Sequence, residues 1–411
     1  MFARMHIKLL IAAACLLGLF STIGAALPYP ILPPLFASGA SNGLNSFLGL
    51  PPKMLFGLAL TINPLGLLIG NTLLGPLSDR YGRRPVLMVT TFGAALGHVL
   101  TALALLLESY PLFILARFGT GLLEGNGAVV RAMLADRLEG ELRVRALSWL
   151  NGAFYLGWLA GPLLAGATVV WGITVPFWIA AGALVLTTAL VAAVLPRETA
   201  SLATTSWWYV ARHQHAFHLL RHADLRKLFI VQFAYTCGVT AFYEFYPLWL
   251  VEFPGYGAPG IAWITAGLCA VMTLTAVFAG RPSRIAPLQR AAWSAFGGAA
   301  AIAALALGNV WLGLVAIVLF GIPNAFYNAI VPGWCAERFG ALGQGAVMGL
   351  LSTTFCLANI VMALVGSVLP LVDTRLVLML GAVLSAWAAW RLLGWRVQMA
   401  GPAATGGTGE G

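Results

Sequence analysis

Apolar residues run through this chain in blocks too long and too continuous for the one-sided helices of a soluble domain. Twelve such blocks stand out, at 9–29, 54–74, 86–107, 111–131, 146–167, 174–195, 228–250, 260–280, 291–308, 310–331, 346–369 and 374–395. Each is close to the roughly 20 residues that a helix needs to cross a hydrocarbon core about 30 Å thick. The longest polar interruption, 196–227, separates six blocks from six. The pattern predicts an all-α integral membrane protein with twelve transmembrane helices in two pseudo-symmetric six-helix bundles. Its parts are an N-terminal bundle over 1–195, a cytoplasmic linker over 196–227, a C-terminal bundle over 228–395 and a disordered cytoplasmic tail over 396–411.

Composition agrees. Apolar residues make up 60% of the 411 positions and charged residues 9%, far from the mix of a soluble domain. A soluble enzyme and a disordered chain are both excluded. The net charge of +10 is explained by topology: with a cytoplasmic N-terminus, every Lys and Arg except Lys53, Arg375 and the intramembrane Arg117 falls on the cytoplasmic side. Both termini are then cytoplasmic, and no nucleic-acid partner is implied. The five cysteines (Cys15, Cys237, Cys269, Cys335, Cys356) lie in or beside apolar runs without metal-ligand spacing, so neither a disulfide nor a metal is expected. Four histidines in the linker, His213, His215, His218 and His222, accompany Trp207, Trp208 and Phe217. They are read as part of an amphipathic surface helix rather than as a metal site.

Between the second and third blocks stands Gly75-Pro-Leu-Ser-Asp79-Arg80-Tyr-Gly82-Arg83-Arg84-Pro85. A two- or three-residue connection must turn here between antiparallel helices, and Gly82 has the freedom for it. Pro85 suits the first turn of the next helix. An anchor of positive charge accounts for the arginines but not for the ordered Gly and Asp. The segment resembles the G-x-x-x-D-R-x-G-R-R signature of the major facilitator superfamily at every defined position. The fourth block reads Arg117-Phe-Gly119-Thr-Gly121 and runs on to Ala135-Asp136, similar to the R-x-x-x-G motif and trailing A-D of the family's proton-coupled exporters. The fifth carries Gly157, Gly161, Pro162 and Gly166 in a pattern similar to the G-x-x-x-G-P-x-x-G-G motif associated with antiport. Ordinary packing of small residues is the other reading of that stretch.

The first six blocks resemble twelve-span drug/proton antiporters of the tetracycline-efflux kind. That resemblance implies the major facilitator fold, alternating access and a conformational role for Gly75, Asp79, Arg80, Gly82, Arg83 and Arg84. The second half matches less well: the loop Gly280-Arg281-Pro-Ser-Arg284 keeps charge but lacks the Asp and the second Gly. Ser21 stands where tetracycline exporters carry an acidic residue.

Charge inside a bilayer is expensive, which makes buried ionisable groups functional candidates. Only Glu124 and Glu244 among the 13 acids fall inside a block away from its ends. Arg117, Glu124 and Arg131 recur every seven residues, so on one continuous helix they share a face with Gly121. Glu124 is the candidate proton-coupling carboxylate, with Arg117 and His98; a static ion pair with Arg117 and a structural, hydrogen-bonded His98 are the alternatives. Glu244 lies among Phe242, Tyr243, Phe245 and Tyr246, an arrangement that suits a cationic lipophilic substrate and equally an interfacial aromatic belt. Asn151, Tyr155, Gln232, Tyr235, Asn324, Tyr327 and Asn328 complete the candidate substrate cavity, or serve as polar links between helices.

The chain therefore reads as a proton-driven exporter of small amphipathic molecules in a bacterial inner membrane, with an importer or facilitator of a polar metabolite as the alternative. No P-loop or HExxH segment occurs, which argues against ATP as the drive and against an enzyme. The proton gradient is expected to replace any cofactor; protons, lipid and one small-molecule substrate are the expected partners of a monomer.

Overall fold

The computed structural model describes residues 2–37, 41–195, 220–279, 284–339 and 344–398. Regular structure among the described residues is helical throughout. In the first half the chain forms α1 (Phe2–Ala26), α2 (Pro28–Ala37), α3 (Pro52–Tyr81), α4 (Arg83–Leu106), α5 (Tyr110–Glu124), α6 (Gly127–Arg137), α7 (Gly140–Thr168) and α8 (Val175–Val194). The second half contains α9 (Ala223–Glu252), α10 (Ala258–Ala279), α11 (Pro287–Ala306), α12 (Val310–Leu319), α13 (Gly321–Phe339), α14 (Gln344–Val368) and α15 (Thr374–Gln398). Most of the predicted linker, with His213, His215 and His218, and the tail beyond Gln398 lie outside the described residues.

Ten stretches among the described residues are long and apolar enough to cross a membrane. The other two predicted spans are present as helices but fall short for local reasons. The fourth is interrupted between α5 and α6, and α11 is built mainly of Ala and Gly and opens on Gln289 and Arg290.

Three spans are broken in mid-course, the first two at residues that explain the break. The first changes helix at Leu27, before Pro28 and Pro30, whose missing N–H groups cannot extend the bonds of α1. The fourth bends at Gly125–Asn126, where Gly125 lies against α3: a methyl group there would sit 2.5 Å from the Asn71 amide nitrogen. The tenth passes from α12 to α13 at Phe320.

Helix packing in the second half repeats that of the first. Spans one and five, one and six, two and four, three and four, and three and six are paired, and each pairing recurs six spans later. The two six-span halves are therefore internal repeats of one packing pattern. Across the two halves, α3 packs on α14, α7 on α10, and α2 on α9 and α10. Small residues allow these approaches: a methyl group at Gly57 would stand 2.4 Å from the Ser367 Cα, and one at Gly166 would stand 1.8 Å from the Ala262 Cβ.

The apolar core shows which end of the molecule is shut. At the end opposite the chain termini one cluster runs through both halves, joining Leu27, Phe36 and Phe56 to Phe242, Phe245 and Trp249. Phe56 meets Phe245 edge to face, with ring centroids 6.0 Å apart. Lys53 and Glu252 close the same end with an ion pair of 2.8 Å. At the end bearing the termini the two halves keep separate cores.

Candidate functional site

Arg117, in the middle of α5, is 2% exposed. Its guanidinium donates to the carbonyls of Ala25 (3.1 Å) and Gly24 (3.5 Å). These carbonyls end α1, and Pro28 lacks the N–H that a continuing helix would offer to Gly24. Arg117 therefore caps a helix C-terminus, where a cation is favoured. The side chain of Asn63 on α3 holds the Arg117 carbonyl in turn (3.2 Å).

Glu124 ends α5 and is 5% exposed; its Oε1 lies 2.9 Å from Nε2 of His98, which is fully buried. The other carboxylate oxygen and His98 Nδ1 have no hydrogen-bond partner. The imidazole stacks on Phe177 and closes against the backbone of α1: a methyl at Gly24 would sit 2.3 Å from His98 Nε2 and 3.0 Å from Glu124 Oε1. The carboxylate thus meets a histidine from the third span, while Arg117 acts on it electrostatically without pairing. The face shared by Arg117, Glu124 and Arg131 is cut by the break at Gly125–Asn126, and Arg131 instead lies over the Phe154 ring of α7 (4.9 Å). That break is a correction to the seven-residue ladder expected for one unbroken helix.

In the second half the predicted polar residues form two linked groups. Tyr327 donates to Gln232 (2.8 Å) and stacks on Tyr235 with centroids 3.5 Å apart. Asn328 donates to Asn324 (3.1 Å), and Asn324 donates to the Tyr243 hydroxyl (2.9 Å), beside the Met272 sulfur. Glu244 belongs to neither group. It is 1% exposed, and neither carboxylate oxygen has a hydrogen-bond partner, so the solvated position of an interfacial belt is excluded. Asn151 is half-buried on α7, and the Tyr155 side chain lies outside the described residues. A cavity of about 450 Å³ opens at the shut end between Phe36, Asn45, Lys53, Glu252 and Leu371, and none of the predicted substrate residues lines it.

The Gly75–Arg84 segment turns on one residue. Gly82 has φ 92°, a region that side chains disfavour, and it joins α3 directly to α4. Arg83 then pairs with Asp79 (2.5 Å) and Asp136 (3.1 Å) and reaches Ser78, while Arg84 donates to the Ala192 carbonyl at the end of α8 (2.7 Å). Arg80 is exposed over the Tyr81 ring, and Gly75 has open space where a side chain would go. Four spans of the first half are tied together by this loop. A family profile described as Major Facilitator Superfamily matches residues 9–363. The chain belongs to the major facilitator superfamily.

Other comparisons agree with this family at different ranges. Over 169 residues the chain is 34% identical to the class B tetracycline resistance protein of Escherichia coli, covering 41% of this chain and 39% of that protein. Over 162 residues it is 32% identical to the class C protein of the same species, covering 39% and 38%. The chain therefore matches well under half the length of these relatives. The human organic anion transporter MFSD10 has the same fold, with a TM-score of 0.69 at 18% identity over 94% of this chain and 99% of that one. The nucleoside transporter NupG has a TM-score of 0.67 at 13% identity, covering 95% and 98%. As a major facilitator the protein is a multi-pass membrane protein of a transporter superfamily.

Within the major facilitator frame, Gly157 and Gly161 serve as packing residues of α7 on α1: methyl groups there would stand 2.5 Å from Thr22 Oγ1 and 2.7 Å from the Ala26 Cβ. Gly166 faces the other half, against α10, and Pro162 lies inside α7. Residues that sequence reasoning passed over are Gly24, Tyr29 and Met272. Tyr29 on α2 lies in the electrostatic reach of both Arg117 and Glu244. Gly24 left a signal in its place four residues before Pro28; Tyr29 and Met272 left none.

Proposed function

We propose that this major facilitator is a proton-driven antiporter that exports small amphipathic molecules by alternating access, as a monomer in a bacterial inner membrane with both termini cytoplasmic. The observation that carries the reading is the buried His98–Glu124 pair beside Arg117. Its charge changes when a proton arrives or leaves, and Arg117 feels that change while holding the end of α1. Movement of α1 is passed through the break at Leu27 to α2, which packs on the other half. Proton occupancy and the relation between the halves are then one equilibrium. The tetracycline resistance proteins support efflux as the direction. The Gln232–Tyr327 and Asn328–Asn324–Tyr243 groups, with Glu244 nearby on α9, are the proposed substrate side.

The test is substrate-induced proton movement in proteoliposomes, screened over cationic drugs and neutral and anionic metabolites. A pH change opposite in sense to substrate flux is the expected result; flux without proton movement overturns antiport. One observation favours a second reading. The second-half groups are neutral donors and acceptors, which suit a polar uncharged solute taken up by a facilitator, and the same screen then shows flux of neutral metabolites alone.

The loop cluster supports a narrower prediction. Asp79→Asn removes one arm of the Asp79–Arg83–Asp136 network while leaving the second half untouched. An exposed pair contributes up to about 1 kcal/mol, so turnover is expected to fall roughly fivefold with substrate affinity unchanged. Lost affinity at unchanged turnover contradicts a conformational role for the loop.

A further inference from the structure

Glu244 is the carboxylate of the second half that the coupling pair leaves unused. Its position on α9 is unlike that of any other acid among the described residues. It is almost fully buried, both oxygens lack a hydrogen-bond partner, and its neighbours in sequence, Phe242, Phe245 and Tyr246, are buried aromatics. A polar group in such surroundings is costly unless it is paired or neutral.

The groups around it offer no cation to pair with. Tyr29 faces it from α2 and Cys237 from its own helix. From α14 there is no charged residue at all, and the described basic residues of α15, Arg375 and Arg391, stand near that helix's ends. Arg290 is at the start of α11, and the intramembrane Arg117 is spent on the carbonyls of α1. The neutral acid is the form this environment accommodates.

The shut end supplies the access route. Phe245, next in sequence, is held by Phe56 from the first half and lies on Gly366, where a methyl would stand 1.8 Å from its ring. The Lys53–Glu252 pair joins the halves two turns further along α9. Asp373 lies in the field of Lys53, and its carboxyl is held below the usual range by the hydrogen bond from Arg375, so it stays ionised there. Parting of the halves at this end removes Phe56 from Phe245 and lets water reach Glu244.

We infer that Glu244 is a second proton-binding site, loaded in the conformation described here and unloaded to water when the halves part at the end opposite the termini. The step is a simple ionisation: the carboxyl O–H breaks, the electron pair stays on the carboxylate, and the proton passes to the entering water. The inference rests on the proposed alternation of the halves, but not on the His98–Glu124 pair as coupling site.

The test is infrared spectroscopy of the full-length protein in membranes, read across a pH series with the deuterium shift of the protonated-carboxyl stretch. At neutral pH the wild type is expected to show such a band, lost in Glu244→Gln and kept in Glu124→Gln. Glu244→Asp, which retains the acid, is expected to move the band rather than delete it. Cutting the ion pair with Lys53→Ala is expected to lower the pH at which the Glu244 band disappears by about one unit, a tenfold change in proton affinity. A wild type without the band, or a band indifferent to Glu244→Gln, overturns the site; an unmoved midpoint in Lys53→Ala overturns the route. Neither result depends on transport, so the antiport assay passes or fails by itself.

Discussion

Glu124→Gln is expected to reduce substrate-driven proton movement by about two orders of magnitude, the scale on which a positioned proton-transfer group contributes to a rate. The amide keeps the shape of the side chain and an oxygen for the His98 Nε2 contact at 2.9 Å, so the protein is expected to insert and fold. What it loses is the ability to change charge beside Arg117. Glu124→Ala is a different experiment: it strips the buried countercharge from Arg117 and the partner from His98, at a cost of roughly 3–5 kcal/mol. Proteoliposome assays with both variants separate coupling from folding. Undiminished pH-driven transport by the Gln variant removes Glu124 as the coupling residue.

Gly24→Ala tests the same site from a residue with no chemistry of its own. The added methyl would lie 2.3 Å from His98 Nε2, and the imidazole cannot withdraw because it is fully buried and stacked on Phe177. Overpacking of this kind costs roughly 1–3 kcal/mol. Proton movement is expected to fall nearly as far as in Glu124→Gln, with substrate binding retained. Gly182→Ala on α8, whose methyl would meet nothing within 4 Å, is the matched control. Normal proton movement in Gly24→Ala means that the His98–Glu124 contact is dispensable.

Span number and order were legible because bilayer thickness imposes a length on apolar runs that few other constraints share. The Gly82 turn was legible in part: a connection of two or three residues was expected, and the structure makes the turn with Gly82 alone. The breaks were not. Gly125-Asn126-Gly127 would mark a turn in a soluble chain, yet glycine is ordinary in membrane helices, and the run around it looked continuous. The first span was read as ending at 29, whereas helix resumes at Pro28 and runs to Ala37, since proline is tolerated in a first helical turn.

Partnership across spans was hidden more deeply. Spacing along α5 suggested Arg117 for Glu124, but the residue in contact is His98, 26 positions away, and no periodicity carries that information. Likewise Asp136 appeared as the trailing acid of one motif and Arg83 as a base of another. Their 3.1 Å contact makes them parts of a single cluster.

The contacts between the halves at Gly57–Ser367 and Gly166–Ala262 also constrain how the molecule can move. They are made by small side chains and backbone in van der Waals touch, without a long flexible group to stretch across a gap. Dispersion attraction of that kind is largely forfeited within an ångström of separation, and lipid offers an apolar chain no penalty for filling the space. The energy along the separation coordinate therefore has a narrow well and a steep wall rather than a gentle slope. On the proposed alternation of the halves, these two contacts are expected to be either seated or lost, with only the longer Lys53–Glu252 pair able to stretch across a partial gap.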